Sequence, residues 1–390
     1  MRILDDSIDP RELARRCGSP SQFFGVQASV LSDGVERGIR ALEFRTGTGF
    51  RFTVLVDRAL DIGSAEFRGV PLGWHSPTGF RHPGLHEYND ERGASWLRSF
   101  SGLMVTAGLD HTLLMGSDTG EHYNYPARDI LDFTLHGRVS NIPARLHGYG
   151  ELWRDGDCVL WCEGTVAQAA VFGENLHLIR RIEARVGESS LTIHDRVVNR
   201  GFYRTPHMFL YHVNLGYPLL DEGSEYIAPI IETVWASHAD HIDYQGVGYR
   251  TQSGPRANFR EQVYQHRLAA NADGKFITAL VNRRFAGGRG IGFAMQVDKR
   301  EFPYHFQWQN YQEGLYAMAM EPSTNQVLGR AFAKERGELI WLEHGEERSY
   351  TTTMSVLEDN EQIAALEASL AELAPTRQPE YPKPTGNWGG

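Results

Sequence analysis

The chain has 390 residues, with 39 Lys+Arg against 49 Asp+Glu and a formal charge of −10. A hydrophobic share of 41 % and an aromatic share of 11 % supply a large core and exclude global disorder. An acidic balance without a basic block argues against a nucleic-acid binder, because neutralising phosphates needs clustered Lys and Arg.

In chain order, Met1 to Pro10 carries charges where a secretory leader needs an apolar stretch. Asp9-Pro10-Arg11-Glu12 supplies an N-cap, a proline at N1 and an early acid, so a short helix is expected up to Gly18. Thr46-Gly47-Thr48-Gly49 before Phe50 to Val56 reads as a turn and then a strand. Asp155-Gly156-Asp157 separates two apolar runs and predicts a hairpin that carries Cys158 and Cys162 on one strand face. These two and Cys17 are the only cysteines, too few for a disulfide scaffold and without zinc-knuckle spacing; Cys158 and Cys162 are expected to be buried thiols. Leu191 to Val197 alternates with period two, a half-buried strand.

Gly287 to Gly292 lacks dinucleotide-loop spacing and reads as a hairpin loop. Tyr304 to Gln309 places three aromatics on one face and three polar rings or amides on the other. Leu339 to Leu342 and Ser349 to Val356, joined through His344-Gly345, predict a further hairpin. Near the end, Ile363, Leu366, Leu370 and Leu373 form the apolar stripe of a helix capped at Asp359 or Asn360 and stopped by Pro375. That stripe should dock on the sheets. The expected architecture is all-β, one domain over 1–374 with peripheral helices and an extended Pro/Gly-rich tail over 375–390. No run of about 18 apolar residues occurs, so no membrane helix is expected. We expect a soluble, cytoplasmic protein, and the sequence is compatible with a homo-oligomer.

Phosphate-loop, zinc-helix and nucleophile-elbow strings are absent from the chain. Three segments instead place polar residues in apolar, β-like surroundings: Leu135 to Asn141, Phe209 to Tyr217 and Ala319 to Asn325. Period-two geometry puts His212 and Asn214 on one strand face, where burial demands hydrogen-bond partners. Glu321 ends an apolar run, so its carboxyl pKa should be raised. His207, five positions before His212, would point to the other face of a continuous strand.

Leu135-His136-Gly137-Arg138, His212-Val213-Asn214-Leu215 and Glu321-Pro322-Ser323-Thr324 resemble, in that order, three motifs of galactose mutarotases (aldose 1-epimerases). Val56 to Ile62 and Trp74 to Gly79 more closely resemble a branch of that superfamily grouped as DUF4432. The resemblance implies a galactose mutarotase-like supersandwich and a small-molecule carbohydrate substrate. It further implies Glu321 as base, His212 as acid and His136 as a sugar-binding group near the ring oxygen or C1. No counterpart of the substrate-binding Asp of mutarotases stands out between Tyr217 and Glu321, and their Asn-Arg pair is missing. By residue character, Arg58, Arg138 and Asn214 are candidates to bond sugar hydroxyls, and Trp74 and Trp308 to stack on a pyranose. No cofactor is needed for such chemistry. Two alternatives stay open: a metal-dependent sugar isomerase or lyase with a divalent ion on His136, His212 and Glu321, and a non-catalytic carbohydrate-binding protein.

Overall fold

The computed structural model describes residues 1–88, 90–237 and 247–389. Among them, no helix is long and apolar enough to cross a membrane. Two large antiparallel sheets carry the fold. One has eleven strands; in spatial order they run Ile230–Ala236, Gln262–Leu268, Tyr304–Asn310, Ala317–Ser323, Leu210–Leu215, Met104–Ala107, Asp61–Phe67, Phe50–Leu55, Arg40–Thr46 and Phe24–Val30, with Val70–Pro71 on Asp61–Phe67. The other has eight, from Arg145–Arg154 through Asp157–Ala169, Asn175–Arg185, Ser190–Asn199, Glu347–Leu357, Ile291–Asp298 and Lys275–Asn282 to Glu225–Ile227. This is the expected all-β sandwich.

Local sequence accounts for much of it. Arg154 pairs with Asp157 across Asp155 and Gly156, whose φ values of 51° and 87° make the two-residue turn that such sequences favour. Cys158 and Cys162 are buried and unpaired, and burial pushes both thiols up to about 12. Gly287, Gly288 and Gly290 lie in the hairpin connection between Lys275–Asn282 and Ile291–Asp298, and Gly292 is already in the second strand. Asp9 accepts from the Arg11 and Glu12 amides and starts the helix Pro10–Arg16. Asp359 accepts from the Gln362 amide and starts Asn360–Leu373, whose Ile363 and Leu370 pack on Ala279, Val281 and Ala294. One expected hairpin does not form. Ile340–Leu342 pairs with Thr205–His207, whereas Glu347–Leu357 lies between Ser190–Asn199 and Ile291–Asp298 in the eight-stranded sheet.

The two sheets share one core, and a buried ionic knot ties them. Arg180, with no exposed side-chain surface, reaches Asp195 on its own sheet at 2.6 Å and Asp61 on the other at 2.9 Å. The Tyr211 hydroxyl, also from the eleven-stranded sheet, donates to Asp195 at 2.6 Å. Over its described residues, 375–389, the tail has neither helix nor strand. It runs along the edge strand Ile230–Ala236, where Gln378 donates to the Ile231 carbonyl and the Thr385 amide to that of Thr233. An exposed strand edge is thereby covered.

Candidate functional site

The central strands of the eleven-stranded sheet, Met104–Ala107, Leu210–Leu215 and Ala317–Ser323, are buried on both faces. Along Leu210–Leu215 and Ala317–Ser323, Tyr211, Val213, Met318 and Met320 enter the shared core. Their alternate neighbours face away from it, which is why these strands read as continuous apolar runs interrupted by His, Asn and Glu. Register then places the polar groups. Leu210 pairs with Ser323 and Val213 with Met320, so His212 stands opposite Glu321. The next row on the same face is Asn214, Ala319 and Trp308. Beyond the sheet, Trp96 and Phe100 come in from the short helix Ser95–Arg98 and the residues after it, and Trp74 closes the side.

Together these groups enclose a cavity of about 750 Å³, lined by Trp74, Trp96, His136, His212, Trp308 and Glu321 among others. His212 Nε2 lies 3.4 Å from Glu321 Oε1. The histidine ring sits between Phe100 at 4.7 Å, Trp308 at 5.4 Å and His136 at 5.6 Å, centroid to centroid. This dry, aromatic setting pushes the His212 pKa down to about 3. Burial, helped by the nearby Glu261 charge, pushes Glu321 up to about 8. At neutral pH the ring is therefore uncharged and the carboxyl keeps its proton.

Asn214 settles which ring nitrogen is free. Its Nδ2 donates to the Gly102 carbonyl at 3.0 Å, so its Oδ1 faces His212 Nδ1 and accepts a hydrogen bond from it. The Nε2 lone pair is left facing Glu321. Asn214 is wholly buried, is not among the cavity-lining residues and holds the imidazole from behind.

His136 is held by strain. Its φ of 56° and that of Leu113, 67°, are both left-handed, and its amide donates to the Leu113 carbonyl at 2.8 Å. Gly137 follows at φ 77°, where a Cβ would stand 2.4 Å from the Gly108 carbonyl oxygen and 2.5 Å from that of His111. The His-Gly step is thus dictated by the close passage of this backbone past residues 108–111. His136 lies 4.5 Å from Trp96, its Nδ1 has no hydrogen-bond partner, and burial pushes its pKa well down.

Two expected sugar contacts lie elsewhere. Arg58 is buried and gives its guanidinium to the carbonyls of Ser140, Ser99 and Arg81 at 2.8, 2.8 and 3.1 Å, pinning three loops. Arg138 lines a separate cavity of about 180 Å³ with Asp110 and Glu174, and donates to the Asp132 carbonyl at 3.3 Å. Trp74 and Trp308 do line the main cavity, 6.3 Å apart, with the Trp308 indole donating to Glu261 at 2.7 Å. Sequence reasoning passed over Trp96, Phe100 and Glu261. Trp96 sits in the short helix Ser95–Arg98, and Phe100 and Glu261 lie outside any helix or strand, so no period marks their direction.

The faces of Tyr304–Asn310 alternate as expected but are turned outward. Trp308 meets the cavity, while His305, Gln307 and Gln309 point inward and bond Tyr226 and the backbone of Tyr249 and Gly248. Among the described residues, no three His, Cys, Asp or Glu side chains are grouped to hold a metal ion.

A family model described as a domain of unknown function, DUF4432, matches residues 36–356. Among solved structures, a Klebsiella pneumoniae protein described as a "putative aldose 1-epimerase" is 24 % identical, with 92 % of this chain and 90 % of that chain covered and a TM-score of 0.78. A galactose mutarotase-like protein from Clostridium acetobutylicum is 11 % identical over 86 % of this chain and 99 % of that one, at 0.58. The Slr1438 protein from Synechocystis is 13 % identical over 80 % and 93 %, at 0.54. At such identities the likeness is one of fold. No curated protein matches the chain significantly.

Proposed function

We propose that this chain, which belongs to the DUF4432 family, is an aldose 1-epimerase-like isomerase that interconverts the anomers of a sugar or sugar derivative. The observation that supports this reading is the opposed His212 and Glu321 pair at 3.4 Å on the floor of an aromatic-walled cavity. Anomer exchange needs a proton taken from the anomeric hydroxyl and another given to the ring oxygen. One proton shared by two groups is enough.

At rest that proton is on Glu321. Sugar hydroxyls that bond the carboxylate replace the water lost on burial and favour its charged form. Passing the proton to His212 Nε2 then creates a carboxylate base and an imidazolium acid. Glu321 removes the O1 proton, the O1 electrons form the C1 carbonyl, the C1–O5 bond breaks and His212 protonates O5. The pair is back in its resting distribution. Rotation about C1–C2 and the reverse transfers close the ring to the other anomer. Each positioned group contributes roughly 10²–10⁴ in rate. His136 would bond the sugar near O5 or C1, and Trp74 or Trp308 would cover an apolar pyranose face.

The test is NMR exchange between α and β anomers across a panel of reducing sugars. Accelerated exchange that Glu321→Gln and His212→Ala each reduce by about 10² or more supports the reading. Binding without acceleration for every sugar would leave a non-catalytic sugar-binding protein and end it.

A further inference from the structure

The cavity has two chemically different ends. The inner end holds His136, His212 and Glu321, all nearly sealed from solvent. Exposed lining residues mark the outer end: Leu97, Leu114 and Met115, 53 %, 75 % and 44 % exposed, form its apolar part, and Arg260 and Glu261, also exposed, its charged part. Large apolar side chains left in water at the mouth of a cavity mark a binding surface. The rim is also fixed in place. The Leu114 carbonyl accepts from His111 Nε2 at 2.9 Å, and that of Leu113 from the His136 amide.

Several polar groups along the walls already have a partner. Ser76 Oγ is 2.8 Å from Thr78 Oγ1, Asn310 Oδ1 accepts from the Gln312 amide and Ser237 Oγ from that of Val263. A bare aldose, with a hydroxyl on almost every carbon, would set hydroxyls against Leu97, Leu114 and Met115 with no partner there, and unpaired polar groups are costly to bury. The volume of about 750 Å³ lies in the upper part of the range of small-molecule sites, about 300–1,000 Å³, with room beyond one pyranose ring.

We infer that the substrate is a reducing sugar carrying an apolar group on C3 or C4. The inference rests on the proposed anomer exchange, which requires a free C1 hydroxyl and sets the C1–O5 edge against His212 and Glu321. The opposite ring edge, C3–C4, then faces Leu97, Leu114 and Met115. An apolar substituent there covers the rim, whereas a substituent on O1 would block the reaction.

The experiment compares D-glucose and D-galactose with their 3-O-benzyl and 4-O-benzyl derivatives on the full chain. Anomer exchange is followed by NMR, and binding by the fluorescence of the cavity tryptophans. A kcat/KM at least about 10-fold higher for a benzylated sugar than for its parent supports the inference. The ratio should fall towards one in the Leu114→Ser, Met115→Ser double variant. Equal or better turnover of the parent sugars overturns the inference and leaves the proposed function standing. If no sugar is turned over, the proposed function fails. Tighter binding of the benzylated sugars would then still support the apolar subsite, and equal or absent binding would overturn it.

Discussion

His212 Nε2 and Glu321 Oε1 stand 3.4 Å apart because their strands pair in a register that sets the two residues directly opposite each other. Side chains opposed across an antiparallel pair share a face, so backbone hydrogen bonding fixes the distance. In the proposed mechanism the two groups act on a single proton.

The pH dependence follows from that proton. Below about 3 the imidazole gains a second proton for the pair, and above about 8 Glu321 loses the only one. The kcat/KM for anomer exchange should form a bell with limbs near these values. Glu261→Gln removes a neighbouring negative charge that raises Glu321, so its alkaline limb should move to lower pH. A flat profile between pH 4 and 10, roughly one unit inside the lower limb and two beyond the upper, would be incompatible with the pair.

Asn214 controls the imidazole. Asn214→Ala frees the ring to exchange tautomers and should reduce kcat by roughly 10- to 100-fold with little change in KM. Asn214→Asp sets a carboxylate against Nδ1 and favours the charged ring. The acid limb should therefore rise from about 3. Steady-state kinetics across pH would read both effects.

Gly137→Ala should be costly. The new methyl group meets two backbone carbonyl oxygens, and the left-handed φ adds strain. We expect a loss of about 1–3 kcal/mol in urea unfolding, together with weaker sugar binding as His136 is displaced.

Arg180→Leu would strand Asp61 and Asp195 without their shared cation in the core. Removing one partner of a buried ionic group costs about 3–5 kcal/mol. A clear drop in thermal stability is expected, with lower activity as well because Tyr211, one residue from His212, bonds the same Asp195.

Much of this was legible in the sequence where local chemistry decides. The Asp155-Gly156 turn, both capped helices and the alternation around His212 needed only neighbouring residues. What failed depended on distance along the chain. Ile340–Leu342 looked like half of a local hairpin, but Thr205–His207 offered its edge instead. Arg58 and Arg138 have the character of sugar-binding groups, yet composition cannot reveal that three loop carbonyls surround one and that the other faces a separate, acidic hollow. Trp96, Glu261 and Leu114 reach the cavity from outside its central strands, where no periodicity announces a direction.

The strand Leu210–Leu215 belongs at once to the core and to the cavity. A change there alters packing and chemistry together, leaving little freedom for variation. Diversification among proteins built on this sheet should thus concentrate in the connections that carry Leu97, Leu114 and Met115. On the proposed function, new sugar preferences would arise by exchanging those loops while the strands that carry His212 and Glu321 are inherited intact.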